Sequence, residues 1–313
     1  MKDSFQREID YLRISITDCC YYQCSYCKVE YPSHLAHHDI LSYEDLIKIV
    51  KAAIKVGITK FKITGGEPTQ RKGYLNLISN LKKTKGVQSV TLTTNGSLFT
   101  KQDLDYLKSI NIDAINFSLD TLDKDEYFLL TKQDCLQKVL DNILYAYYIQ
   151  IPVKINCVVD DTFHLKRLQS LLAFVKDKNI CLRFIEMMPL NQEKRSNHYQ
   201  QIIDYCQHFQ YRVMNHQLGN GPAWYIKLQG YLGCIGFIDA LNHKFCHQCN
   251  RMRLTSIGQL KPCLFYNNAF DLKTIVDNEE ELIRQFEKAI YSKPKEHHFE
   301  DEISLTKMNE IGG

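Results

Sequence analysis

Twelve cysteines in 313 residues are the first chemical signal in this chain. Cys20, Cys24 and Cys27 stand as C-x3-C-x2-C, and Cys246, Cys249 and Cys263 stand as C-x2-C-x13-C. Thiolates are soft ligands that hold zinc or iron–sulfur clusters. Three of them on one loop leave a fourth position open. A structural zinc site closes that position with another Cys or His, and His34, His37 and His38 follow the first set while His243 and His247 flank the second. A [4Fe–4S] cluster on three thiolates instead presents one bare iron to an outside ligand. Buried free cysteines, zinc and an open iron–sulfur cluster therefore compete, and spacing alone does not separate the last two. Cys19, Cys135, Cys157, Cys181, Cys206 and Cys234 are scattered and read most simply as small core or surface residues. The N-terminal residues show no apolar stretch of a signal peptide, so a reducing cytoplasm is the expected compartment.

Basic residues form the second constellation. Lys60 and Lys62 lie two apart in a β-branched run and so share one face of a strand. Arg13, Lys154 and Arg183 lie in or beside three other such runs. A lone cation is usually a solvated surface charge. Five in candidate strands imply a partner, because unpaired buried charge is costly. Lys and Arg total 39 against 36 Asp and Glu, a net charge of +3. That balance excludes a protein that coats nucleic acid and leaves room for a pocket that takes one phosphorylated ligand. No run of about 18 apolar residues is present, so no membrane helix is expected.

The elements that must position these groups alternate. Candidate strands are Leu12–Ile16, Lys60–Thr64, Val90–Thr93, Ala114–Leu119, Val153–Val159 and Leu182–Glu186. Candidate helices between them are Tyr43–Val56, Tyr74–Lys83, Lys101–Ile110, Cys135–Ile149 and Leu165–Lys178. Such alternation predicts parallel strands with right-handed crossovers, as an incomplete barrel or a doubly wound sheet. After Pro189 the texture changes. Asn191–Asn197 reads as a polar loop and Tyr199–Phe209 as a helix. A glycine-punctuated, antiparallel-looking segment with a strand at Trp224–Leu228 follows, then an amphipathic helix at Glu279–Ala289.

The first cysteine set, with Tyr26 before its last member, resembles the signature of the radical S-adenosylmethionine superfamily. Thr64-Gly65-Gly66-Glu67-Pro68 looks like that superfamily's methionine-binding motif, its glycines admitting a close backbone approach to the ligand. Alone, Gly-Gly-Glu-Pro could be only a βα turn. Paired with the cysteine set at successive strand ends, it is specific. Further along, Phe245–Thr255 and Leu260–Phe265 resemble the GTP 3′,8-cyclase family of molybdenum cofactor biosynthesis. So do Arg13-Ile14-Ser15-Ile16-Thr17-Asp18, Gly236-Phe237-Ile238 and Met308–Gly313. The resemblance runs from Tyr11 to Gly313.

That resemblance implies a fold: an incomplete (β/α)6 TIM-type barrel over 1–190 with a partly antiparallel C-terminal extension over 191–313. It implies two [4Fe–4S] clusters, on Cys20, Cys24 and Cys27 and on Cys246, Cys249 and Cys263, the second touching the guanine. It places S-adenosylmethionine on Tyr26, Gly66, Ser118 and Met188. It places GTP on Arg13, Lys62, Thr93, Lys154 and Arg251, Met252 and Arg253, with Lys60 and Arg183 as further phosphate contacts. The di-glycine tail, Gly312 and Gly313, would reach into the active site. The implied chemistry is reductive cleavage of S-adenosylmethionine, removal of the 3′ hydrogen of GTP and closure of a C3′–C8 bond. Implied partners are a flavodoxin or ferredoxin-type electron donor, the cyclic pyranopterin monophosphate synthase downstream, and a second copy in a homodimer. Cys19, Lys28 and Trp224 depart from the family's pattern. The rival readings are a peptide- or nucleoside-modifying radical enzyme with an auxiliary cluster, and a zinc-stabilised binding module without catalysis.

Overall fold

The computed structural model describes residues 1–27, 35–36, 38–187, 198–214, 218–239 and 245–297. Six strands alternating with helices open the chain, beginning with β1 Tyr11–Ser15, α1 Tyr43–Lys55, β2 Lys60–Thr64, α2 Tyr74–Lys83, β3 Ser89–Thr94 and α3 Lys101–Ser109. Then come β4 Ala114–Ser118, α4 Lys124–Thr131, α5 Leu136–Tyr148, β5 Val153–Val159, α6 Leu165–Val175 and β6 Cys181–Glu186. Every expected strand and helix of this part is present, within a few residues at each end. The helix ends carry ordinary caps: the Ser42 side chain accepts from the Asp45 amide, and Thr100 and Asp103 close a capping box.

Helix α4 is the element that the sequence pattern missed. Tyr127 and Leu130 are buried while Phe128 and Leu129 are exposed, so the helix shows no apolar stripe to read. Its Asp123 N-cap, which accepts from the Glu126 amide, was the available signal.

The remaining elements are α7 His198–Gln207, β7 Tyr211–Met214, β8 Trp224–Leu228, β9 Cys234–Ile238, β10 Arg251–Leu254, β11 Gln259–Lys261, β12 Phe270–Asp271 and α8 Glu279–Tyr291. All twelve strands form one sheet in the order β12-β11-β10-β1-β2-β3-β4-β5-β6-β9-β8-β7. Strands β1 to β6 are parallel neighbours. The C-terminal segment is not simply antiparallel, as its glycines suggested. β9 pairs parallel with β6 and β10 pairs parallel with β1, while β7, β8, β11 and β12 pair antiparallel. Parallel pairing needs a long crossover, and the stretch from β6 through α7 and the β7–β8 hairpin supplies it for β9.

Alternation along the strands sets the character of the two faces. Leu12, Ile14, Phe61, Ile63, Leu92, Ile115, Phe117, Ile155 and Phe184 pack outward in the main core with the helices. The inward set is polar: Arg13, Lys62, Thr91, Thr93, Asn116, Asn156 and Arg183. A closed barrel of this type is normally filled with Val, Ile and Leu. This one is lined for a polar ligand.

Two of the cysteines read as scattered residues are instead paired. Cys181 and Cys234 face each other in the β6–β9 register and form a disulfide. Their separation of 53 residues in sequence hides a contact that only strand pairing creates. Among the described residues, no helix is long and apolar enough to cross a membrane.

Candidate active site

The loop after β1 carries Cys20, Cys24 and Cys27, and helix α4 holds it in place. The Gln23 amide donates to the Thr131 carbonyl at 3.0 Å and the Ser25 amide to Leu130 at 3.1 Å. On the other side the Gly66 amide donates to Thr17 and the Glu67 amide to Cys19, both at 2.7 Å. A Cβ on Gly66 would lie 2.2 Å from the Cys19 carbonyl oxygen. The glycine therefore admits the cysteine loop itself, a close approach the sequence reading did not foresee. Glu67 is buried and acts as a staple. Its carboxylate accepts from Thr69 N (3.0 Å) and Oγ1 (2.6 Å), from Thr94 Oγ1 (2.6 Å) and from Asn95 N (2.7 Å). Burial still pushes its carboxyl up, against those bonds.

Tyr26 donates to Asp120 Oδ2 at 2.7 Å, and Val158 N donates to Oδ1 at 2.8 Å. Burial pushes the Asp120 carboxyl up to about 6 in spite of both donors. Sequence reasoning did not single out Asp120; its place two residues after β4 ends at Ser118 was the only hint. Cys24 is held well above an ordinary thiol by burial, then by the charges of Asp120, Cys27 and Cys20, so a metal would have to displace its proton.

The second set enters from the other edge. Cys246 sits in a short 3-10 turn at Phe245–Gln248, Cys249 just before β10, and Cys263 just after β11. Burial raises the Cys249 thiol, but the charges of Arg251 and Lys293 outweigh it and bring the group down to about 6. It is a thiolate near neutral pH, ready to ligate. All six cysteines line one cavity of about 320 Å³. Among the described residues, no three Cys, His, Asp or Glu side chains gather around a point that a single ion would occupy. Thiolates around a cubane cluster bind separate irons and need not converge on one point. His38 is exposed and pairs with Asp39 at 3.3 Å, and His247 is exposed. His34, His37 and His243 lie outside the described residues.

The same cavity is lined by Arg13, Lys62, Thr93, Arg183, Arg251 and Arg253, together with Tyr26, Gly66 and Ser118. Register explains the convergence. Arg253, Arg13 and Lys62 are direct partners across β10, β1 and β2. Arg183 reaches over from β6 and donates to Asn116 Oδ1 at 2.5 Å. Gly236 opposite it makes the space, since a Cβ there would lie 2.8 Å from Arg183 Cγ. The crowding of cations shows in their protonation. Burial, then Arg13, Arg183, Lys154 and Arg251, holds the Lys62 amine well below its ordinary value. Arg253 is likewise held well below the ordinary guanidinium by burial, Arg13 and Arg251. Arg13 is lowered to about 10 by burial, with Arg251 and Arg183 adding to it against Tyr11. Buried polar oxygens without a partner among the described residues, Thr93 Oγ1 and Asn156 Oδ1, face the same space.

A second cavity of about 1010 Å³ lies at the N-terminal ends of the strands and shares Tyr11, Lys62, Arg183 and Gly221 with the first. Lys154 lines this lower cavity and donates to the Leu218 carbonyl. Two expectations are corrected. The Met252 side chain is buried in the core, because strand alternation turns it away from the face that Arg251 and Arg253 share. Lys60 shares a face with Lys62 but sits one pleat lower and is tied to Asp10 at 2.6 Å, away from both cavities. Trp224 stacks on Phe237 at 4.5 Å on the outer face and touches no ligand space. Met188, Gly312 and Gly313 lie outside the described residues, as do Lys28 and Asn191–Asn197.

Burial, with the nearby Arg183 charge adding to it, brings the Lys154 amine down to about 8. Between that value and the ordinary lysine range the free protein lacks a proton that the unfolded chain holds, so stability rises with pH across this window. A bound polyphosphate reverses the shift. Binding of a polyphosphate beside it at pH 8 is therefore expected to take up about half a proton at Lys154 alone. Calorimetry in two buffers of different ionisation enthalpy checks this. Equal heats in the two buffers would refute it, and Lys154→Met should reduce the difference.

A parallel partial barrel whose first two strand ends bring C-x3-C-x2-C against Gly-Gly-Glu-Pro defines the radical S-adenosylmethionine class. Residues 14–175 match the model of the Radical SAM superfamily, and 180–299 match that of Molybdenum Cofactor Synthesis C. The chain is 36% identical over 325 residues to the GTP 3′,8-cyclase of Clostridium perfringens (strain 13 / Type A), with all of both chains covered. It is 37% identical over 332 residues to that of Petrotoga mobilis, again end to end. It belongs to the GTP 3′,8-cyclase family. Streptococcus suis SuiB bound to S-adenosylmethionine shares the fold, with a TM-score of 0.65 at 17% identity. The match covers 87% of this chain and 65% of SuiB.

Proposed function

We infer that the chain is a radical S-adenosylmethionine lyase, a GTP 3′,8-cyclase of molybdenum cofactor biosynthesis. It converts GTP to 3′,8-cyclo-7,8-dihydro-GTP while S-adenosylmethionine becomes methionine and 5′-deoxyadenosine. The observation that carries the reading is the single cavity that both cysteine sets share with Arg13, Lys62, Arg183 and Arg253. Cys20, Cys24 and Cys27 would hold the first [4Fe–4S] cluster, and their thiol chemistry fits it. When bound, that cluster supplies the electron that splits S-adenosylmethionine and yields the 5′-deoxyadenosyl radical.

The chain's own residues bind and aim. A primary radical takes whatever hydrogen is nearest, so the protein's contribution is orientation. Arg13, Lys62, Arg183 and Arg253 hold the triphosphate through charge-assisted bonds. Thr93, Arg251 and the backbone at Met252 complete the nucleotide site, and Lys154 meets it from the lower cavity. Tyr26, fixed by Asp120, closes over S-adenosylmethionine with Gly66, Ser118 and Met188. Cys246, Cys249 and Cys263 would hold a second cluster that meets the guanine; the lowered Cys249 thiol supports that role. Gly312 and Gly313 would complete the chamber, and the last described residue, His297, lines it. The electron donor would be of the flavodoxin or ferredoxin type, the consumer of the product the cyclic pyranopterin monophosphate synthase, the assembly a homodimer and the compartment cytoplasmic. Residues 1–190 would act as the radical barrel and 191–313 as the substrate-side extension.

Anaerobic incubation of the reconstituted protein with S-adenosylmethionine, dithionite and GTP tests the reading. Cyclised GTP and 5′-deoxyadenosine should form together. Release of 5′-deoxyadenosine without any cyclised nucleotide would overturn the cyclase reading and favour another substrate.

A further inference from the structure

Two buried cations hold the backbone around all three cysteines of the second set. Arg7 is 7% exposed and lies in the N-terminal segment, more than 200 residues from those cysteines in sequence. Its Nη1 donates to the Cys246 carbonyl at 2.7 Å and to the Lys295 carbonyl at 2.9 Å, and its Nη2 to Pro294 at 2.6 Å. Asp3 fixes the guanidinium from behind, Nε to Oδ2 at 2.6 Å. Lys293 is 3% exposed. Its Nζ donates to the Arg251 carbonyl at 2.7 Å and to the Pro262 carbonyl at 2.6 Å. Arg251 is two residues past Cys249, and Pro262 directly precedes Cys263. Arg7 and Lys293 thus reach Cys246 itself and the immediate neighbourhood of the other two.

Neutral carbonyls orient a buried ammonium but do not balance its charge, and Lys293 has no carboxylate partner among the described residues. Burial of such a charge is costly unless an anion lies near. An anionic iron–sulfur cluster on the cysteine set, whose cavity Lys293 also lines, would supply that anion. Outer partners of this kind fix ligand direction and tune the bound metal.

We propose that Arg7 and Lys293 are positioning residues that clamp the second cysteine set in the geometry that accepts an iron–sulfur cluster. The inference rests on the reading that this set holds such a cluster. It adds that the N-terminal segment, which precedes the barrel, is part of the auxiliary site. Arg7 also fastens residues 294 and 295, so the same clamp anchors the root of the C-terminal tail.

The test uses the full chain with Cys20, Cys24 and Cys27 replaced by alanine, so that only the second set can bind iron. After anaerobic reconstitution this parent should hold about four irons. Arg7→Gln or Lys293→Met should lower that content and speed iron release to a chelator roughly 10–100-fold. Arg7→Lys and Lys293→Arg should restore much of it. In the chain with all its cysteines, the same neutral variants should keep the irons of the first set. Unchanged content and release in both variants would overturn the clamp. So would loss of iron from both sets together, since the cations would then support the fold and not the site. A parent that binds no iron would overturn the second-cluster reading itself, and the clamp with it.

Discussion

Replacing Cys24 with alanine is expected to abolish 5′-deoxyadenosine formation, and GTP cyclisation with it. On the proposed function, the cause is a lost cluster ligand where three thiols meet the Gly65-Gly66-Glu67 loop. Cys24 is the middle member of its set, and burial with neighbouring negative charge keeps its thiol protonated until a metal takes it. Alanine removes the sulfur and leaves two ligands that cannot hold a cluster open to substrate. The expected loss is roughly 10³-fold or more, about 4 kcal/mol of barrier. Cyclase assays and iron counts on the purified variant check it. Iron at the second cysteine set, where we propose another cluster, should persist, which separates a lost site from a lost fold. Full 5′-deoxyadenosine production in this variant would mean that the reducing centre lies elsewhere.

Arg253→Ala should weaken GTP binding by about 2–5 kcal/mol, the usual range for truncating one side of a buried charge pair. The same substitution should leave the ligand-free protein as stable as before or more so. The two effects have opposite signs for one reason. Arg253 lies beside Arg13 in the strand register, with Lys62 beyond, and burial and like charge hold its guanidinium well below its ordinary value. Arg13 and Arg251 repel Arg253, and a triphosphate bound among them, as proposed, would offset that repulsion. Calorimetric titration with GTP and thermal unfolding with and without GTP measure both arms. A drop in unfolding temperature of the ligand-free variant, with GTP affinity intact, would assign Arg253 to the fold. Because Arg13 and Lys62 share the same anion, losses in double variants should fall short of additive.

Much of the site was legible in the chain. The C-x3-C-x2-C spacing and Gly-Gly-Glu-Pro are local patterns whose chemistry follows from residue type and separation. The strands and helices that carry them follow from period-two and period-3.6 alternation, as Lys60–Thr64 and Tyr74–Lys83 show. The misses share one character. Helix α4 has no apolar stripe, yet it holds the first cysteine loop through Leu130 and Thr131. Lys60 has the right face but the wrong depth, and Met252 the right strand but the wrong face. The Cys19 carbonyl packed against Gly66 was not foreseen. In each case the deciding contact lies across the sheet or across a loop, where sequence spacing carries no distance.

The sequence by itself determined which groups could do chemistry: two three-thiol sets, a glycine turn and a handful of strand-borne cations. It also determined the alternating elements, because local periodicity is a property of the chain. Only the tertiary structure decided that the two thiol sets open on one cavity. That depends on β10 pairing beside β1 while β9 pairs beside β6, so that segments far apart in sequence meet at the two ends of one curled sheet. The same pairing brought Cys181 to Cys234, Arg253 to Arg13, and Arg7 and Lys293 to the second cysteine set. Register and crossover, not spacing, turn scattered charges and thiols into a site, because only they fix distances between residues remote in the chain.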